Sequence, residues 1–218
     1  MRIVIAGGHG QIALRLGRLL AAGGHEVVGI IRKPEQAADL CEAGAEPVVL
    51  DLESASVEEI AAVLQGAGAA VFAAGAGPGS GIARKETVDR GAAVLFADAA
   101  ERAGVRRYIV VSSMGADAKY PGDGEFDAYL RAKGAADDDV RSRSGLDWTI
   151  LRPGTLTNDA GTGLVQLKAS TGPGMVPRDD VAAVLAELVE TPATAGLTLE
   201  LISGSVPVTV AVKDVAGN

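Results

Sequence analysis

Short aliphatic runs alternate along this chain with longer amphipathic stretches. The first run, Ile3 to Ala6, meets glycines at once, which predicts a buried strand ending in a tight turn. A helical pattern follows, with Ile12, Leu16, Leu19 and Leu20 on one face and Arg15 and Arg18 off it, and Gly23-Gly24 stops it. Val27 to Ile31 reads as a second strand, and Pro34 opens a helix to about Ala43. A third strand, Glu46 to Leu50, ends at Asp51-Leu52. Ser56 and Glu59 form a capping box for a helix over Val57 to Leu64. A fourth strand, Ala69 to Ala73, leads into Ala74-Gly75-Ala-Gly77, and a loop spans Pro78 to Ala83.

A long helix is expected from about Arg84 to Ala103, with Val88, Ala92, Leu95 and Ala99 as its buried stripe. Arg107 to Val111 reads as a fifth strand, followed by Ser112-Ser113. The polar, turn-rich stretch from Ala116 to Glu125 suits a mobile loop over a site. The next helix starts near Phe126 and carries Asp137-Asp138-Asp139, read as a solvated face. Trp148 to Leu151 is a sixth strand, followed by Arg152-Pro153-Gly154. The tail from Thr155 adds strands at Leu164 to Leu167 and Leu197 to Leu201 around a helix at Asp179 to Val189. Strands alternating with helices through tight connections predict an α/β fold with a doubly wound parallel sheet. One domain covers residues 1–218, and about 155–218 form a short C-terminal extension on the substrate side.

Composition sharpens this picture. The 218 residues are 48% hydrophobic but only 3% aromatic, which suits a parallel sheet of β-branched strands covered on both faces by Ala-rich helices. A net charge of −8 repels polyanions, and no basic patch bears aromatics, so no nucleic-acid partner is expected. Cys41 is the single cysteine, so no intrachain disulfide forms; its amphipathic surroundings suggest a packed thiol. His9 and His25 lack companions at ligand spacing, so no metal site is expected. The nearly uncharged stretch from Ile60 to Gly77 is broken by Gln65, Gly66 and Gly68, so it reads as core and not as a membrane span. Residues 2–6 read as a strand leading to glycines and not as a signal peptide with a cleavage site, so a cytoplasmic location is expected.

The candidate chemistry begins at the first turn. Gly7, Gly10 and Ala13 give a G-x-x-G-x-x-A spacing between strand and helix. Gly7 supplies backbone freedom, Gly10 lets a diphosphate approach the backbone, and Ala13 permits close helix–strand packing. The helix N-terminus offers free N–H groups to phosphates. Arg32 and Lys33 follow the second strand, where a carboxylate would favour NAD; cations there favour the 2′-phosphate of NADP(H), with Arg32 as the main contact. Asp51 either bonds the adenine amino group or caps a helix. Ser113 lies just past the fifth strand, and Tyr129 and Lys133 stand one turn apart on the next helix. A phenol can pass a proton to or from a substrate oxygen, and a neighbouring ammonium favours the phenolate.

These residues give the chain a resemblance to the atypical short-chain dehydrogenases/reductases, near the NAD(P)H-binding, NmrA-like and epimerase-like members, which have a Rossmann fold. The resemblance rests on Gly7-Gly-His-Gly10-Gln-Ile-Ala13, Arg32, Asp51-Leu52, Ala73-Ala-Gly75, Val111-Ser-Ser113, Tyr129-x-x-x-Lys133 and Leu151-Arg-Pro-Gly154. It implies coenzyme contacts at Gly7, His9, Gly10, Gln11 and Ile12 in the first turn and at Arg32, Asp51 and Leu52 around the adenosine. It also implies contacts at Ala73, Ala74 and Gly75 in the middle, and at Ser112, Lys133 and Pro153 by the nicotinamide. Ser113, Tyr129 and Lys133 would form the catalytic set. Asp89 stands where related enzymes often carry asparagine. The resemblance leads to an NADP(H)-dependent oxidoreductase acting on a small-molecule carbonyl or alcohol. A non-catalytic NADP(H) sensor and a sugar-nucleotide epimerase or dehydratase are the alternatives. No membrane partner is expected, and the sequence sets no oligomeric state.

Overall fold

In the computed structural model, which describes residues 1–77 and 79–217, the first aliphatic run becomes strand β1 (Arg2–Ala6). Pro78, where the expected loop begins, and Asn218, at the end of the tail, lie outside the described residues. Side chains alternate across β1: Ile3 and Ile5 enter one core, Val4 and Ala6 the other. That two-residue period is what burial of both faces requires. Parallel neighbours flank β1, β2 (Glu26–Ile31) on one side and β4 (Ala69–Phe72) on the other. Beyond β2 lies β3 (Ala45–Val49), and beyond β4 come β5 (Arg107–Val111), β6 (Asp147–Pro153) and β10 (Leu197–Ser203), all parallel. β8 (Leu164–Lys168), antiparallel to β10, and β11 (Val206–Pro207), antiparallel to β8, continue that side. The described residues thus form one sheet in the order β11-β8-β10-β6-β5-β4-β1-β2-β3, and a small second sheet pairs β7 (Thr155–Thr157) with β9 (Met175–Pro177).

Helices α1 (Gln11–Ala22), α2 (Ala37–Glu42), α7 (Arg178–Glu190) and α8 (Val208–Ala216) contribute to the core that holds Ile3 and Ile5. Helices α3 (Val57–Leu64), α5 (Ala93–Ala103) and α6 (Glu125–Ser142) contribute to the other. A three-residue turn, α4 (Ile82–Arg84), runs through a π-helical stretch, Lys85–Ala92, into α5. At the foot of the sheet the buried Arg107 guanidinium donates to the hydroxyls of Thr149 and Thr194 and to the Leu188 carbonyl, joining β5 to β6 and α7. Burial pushes this guanidinium down to about 10.

Several expectations need correction. Leu19 is exposed, because the buried stripe of α1 runs through Ala13, Leu16, Gly17 and Leu20. Pro34 opens a 3-10 turn, Pro34–Gln36, before α2 begins. Cys41 is exposed and not a packed thiol: α2 buries Leu40, and the next residue points about 100° away. Asp137 is fully buried and is no part of a solvated face. The expected single α-helix from Arg84 is π-helical in its first half. The tail also forms β7, β9, β11 and α8, which the hydrophobic pattern did not predict.

Candidate active site

The strand order reverses at β1, since β2 follows on one side and β4 on the other. In an open parallel sheet this leaves a crevice at the carboxyl ends of the two strands flanking the switch point. Two cavities occupy it here, about 340 Å³ and 670 Å³, sharing Gly10, Ala73, Ala74 and Gly75 as a common floor.

The first turn fits a diphosphate. Gly7 has φ 78°, and a Cβ there would stand 2.6 Å from the Ala74 Cα, so only glycine permits this close crossing. Gly10 caps α1 without any side-chain hydrogen bond, and no acidic residue lies in the first turn. The helix therefore keeps free N–H donors and its positive end directed at the cavities. His9 is held to Asp39 at 2.6 Å and to Gln36 at 3.2 Å.

The narrower cavity is lined by Gly7, His9 and Gly10, by Arg32 at the tip of β2, and by Asp51 and Leu52 after β3. Asp51 accepts from the backbone N–H of Glu53, a local cap. The reading of the sequence missed Glu53 and Arg84, which also line this cavity. Glu53 receives Arg84 at 2.7 Å and lies 3.5 Å from Arg32. The bonds from Arg84 and Thr87 hold its carboxyl below the usual range, with the Arg84 and Arg32 charges adding to the effect. Two arginines thus converge at this end of the cleft around a single carboxylate.

The wider cavity begins at Gln11 and Ile12 and extends to Val111, Ser112, Tyr129, Lys133, Pro153, Leu156 and Arg178. Ser113 is absent from its lining; its hydroxyl donates to the Met114 carbonyl at 3.2 Å. Ser112 lines the cavity instead, and its hydroxyl donates to Asp137 at 2.9 Å. Asp137 in turn takes two bonds from Arg152, at 2.9 and 2.8 Å. Because the Ser112 O–H is donated to the carboxylate, only the hydroxyl lone pairs remain to accept from a ligand donor.

Lys133 is 4% exposed, and its ammonium donates to the carbonyls of Val111 at 3.1 Å and Ala74 at 3.4 Å. It also lies 3.5 Å from Asp89. It therefore ties the tips of β4 and β5 together. Asp89 is 0% exposed, accepts from the Ala76 N–H at 3.3 Å through Oδ2, and leaves Oδ1 without a hydrogen bond. Beside Tyr129 stands a second buried lysine that the sequence reading missed. Lys85 lies 5.8 Å from the Tyr129 ring centroid and is anchored to the Gly77 carbonyl, to Ser80 at 3.1 Å and to Glu125 at 3.3 Å. Burial raises the Glu125 carboxyl, but the Lys85 bond and the backbone N–H groups of Gly81 and Gly79 outweigh it and the net direction is down. Phe126 stacks on Tyr129 with centroids 5.9 Å apart and lines the cavity beside it, itself largely exposed. Among the described residues no cluster of His, Cys, Asp and Glu suits a metal, and no helix is long and apolar enough to cross a membrane.

Known proteins resemble this chain in sequence and fold. The sequence pattern of a family described as NAD(P)H-binding matches residues 7–192. The uncharacterized sugar epimerase YhfK of Bacillus subtilis is 36% identical over 214 residues, covering 98% of this chain and 99% of its own. A candidate NAD-dependent epimerase/dehydratase from Bacillus halodurans superposes with a TM-score of 0.90 at 37% identity, covering 98% of this chain and 99% of its own. ChuY, an anaerobillin reductase from Escherichia coli O157:H7, does so with a TM-score of 0.77 at 29% identity, covering 93% and 97%.

Proposed function

The chain belongs to the NAD(P)H-binding family, and from that premise we propose that it is an NADP(H)-dependent oxidoreductase of a small carbonyl or alcohol, with Tyr129 carrying the proton. One observation supports this most directly. Tyr129 lines the wider cavity, apart from the end of the cleft that carries Arg32 and Arg84, with the Lys85 ammonium beside its ring. The bound coenzyme supplies or takes the hydride. The other tasks fall to this chain. The first turn and the open N-terminus of α1 hold the diphosphate. Arg32, with Arg84 beside it, holds the 2′-phosphate. The Tyr129 hydroxyl gives its proton to the substrate oxygen in reduction and takes one back in oxidation. Lys85 stabilises the negative charge left on the phenol oxygen. Lys133 and Asp89 keep the floor rigid, and Ser112 accepts a hydrogen bond from a hydroxyl or amide N–H of whatever lies above it.

The test uses a panel of aldehydes and ketones with NADPH, followed through the absorbance of the reduced nicotinamide. Tyr129→Phe is expected to bind NADPH as the parent does and to lose turnover by about 10²-fold or more. Unchanged turnover would remove Tyr129 from the chemistry. The name borne by the Bacillus subtilis relative favours a second reading, epimerisation of a sugar. An epimerase returns its hydride to the same molecule, so net consumption of NADPH separates the two.

A further inference from the structure

The charges around the wider cavity do not cancel. Three cationic side chains line it, Lys85, Lys133 and Arg178. Lys85 pairs with Glu125 at 3.3 Å and Lys133 with Asp89 at 3.5 Å. Arg178 opens α7 directly after β9, beside the β7 end of the small sheet. Its guanidinium donates to the neutral amide oxygen of Asn158 at 2.8 Å, and among the described residues no carboxylate lies within ion-pair distance of it. The two acids next to it in sequence are engaged elsewhere. Asp179 takes Arg15 and the Gly161 N–H, and Asp180 takes the N–H groups of Thr162 and Gly163. A chain of net charge −8 thus leaves one uncompensated positive charge on the wall of the wider of the two cavities. The rest of that wall offers Ile12, Val111, Phe126, Pro153 and Leu156, which suit an apolar body.

We propose that Arg178 reads a carboxylate on the substrate, so that the cavity takes an apolar aldehyde, ketone or alcohol bearing one acidic group. A guanidinium matches a carboxylate in two parallel bonds, and it gains most where the surrounding wall is apolar. The proposal deepens the oxidoreductase reading and rests on it for the carbonyl or alcohol group; the anion preference stands on Arg178 alone.

The experiment is calorimetry with 2-naphthoate and 2-naphthamide, equal in shape and different in charge. The protein is first titrated with NADP+, and the two probes are then added to the saturated protein. Naphthoate should bind at least about tenfold more tightly than naphthamide. Arg178→Gln should bring the ratio close to one while leaving NADP+ affinity within about twofold of the parent. Equal binding of the two probes, no binding of either, or an unchanged ratio in the variant would overturn the proposal. A parallel loss of NADP+ affinity in Arg178→Gln would assign the guanidinium to the coenzyme and overturn it as well. Should NADP+ fail to bind the parent, the coenzyme reading fails at that first titration, and the probes are compared on the protein alone by the same criterion.

Discussion

Asp137 lies wholly inside the protein, with Oδ2 accepting from Ser112 and twice from Arg152 while Oδ1 accepts nothing. Burial pushes the carboxyl above its ordinary range, and Arg152 and Ser112 offset only part of that. The folded state therefore keeps this proton more readily than the unfolded chain does. By linkage, the contribution of Asp137 to stability is fully present below the ordinary aspartate value of 3.8 and declines as pH rises through the folded value above it. Asp137→Asn abolishes the titration and leaves Ser112 an amide oxygen to bond. Thermal unfolding of both proteins from about pH 4 to about pH 7 should show the variant gaining on the parent as pH rises. A gap that stays constant across the series would mean that the carboxyl titrates alike in both states.

The first turn is where an element's shape carries the function. Gly7 combines a positive φ with contact against the Ala74 backbone, so a side chain there meets both strain and collision. Gly7→Val should cost about 2–4 kcal/mol in a denaturant midpoint analysis and abolish coenzyme binding. Full stability in that variant would show that β1 and β4 can part without penalty. Elements with strong local signals were legible in the sequence. The Ser56–Glu59 capping box fixed α3 at Val57–Leu64, and the β-branched run at Arg107–Val111 fixed β5 to the residue. The C-terminal helix α8 was hidden, because Val208, Val210 and Val212 continue the strand-like alternation that begins at Val206 in β11, and only tertiary packing makes residues 208–216 helical. In the site, the glycine turn, Arg32 and Tyr129 stood out in the sequence because their spacing carries chemistry, and all of them line the two cavities. Lys85 and Asp89 each stand three residues before an apolar position, Val88 and Ala92, so a polar break in the stripe was the available signal. Asp137 gave a similar signal, one turn after Lys133 and three residues before Val140. The exchange of Ser113 for Ser112 had none, since which hydroxyl faces the cleft depends on how the chain leaves β5.

Across the whole molecule the cleft gathers the tips of β1 to β6, so a coenzyme bound there braces both halves of the sheet at once. NADPH at 100 times its Kd should add about 2.7 kcal/mol of stability, a rise in Tm of about 5–10 °C for a chain of this length. NADH at the same concentration should protect less, and Arg32→Ala should remove most of the difference. Equal protection by the two coenzymes in the parent would show that the basic tip of β2 does not sense the extra phosphate. The shared floor of Ala73, Ala74 and Gly75 has a consequence for how such a protein diversifies. A methyl group added at Gly75 would come within 3.2 Å of the Asp89 carboxylate, so the base of the crevice tolerates little variation. The surrounding walls come from separate stretches of chain, Phe126 from α6, Leu156 from β7 and Arg178 from α7. Laboratory evolution toward a foreign compound would accordingly collect its beneficial changes at positions 126, 156 and 178, each adjustable without disturbing the other two, and would leave 73–75 as they are.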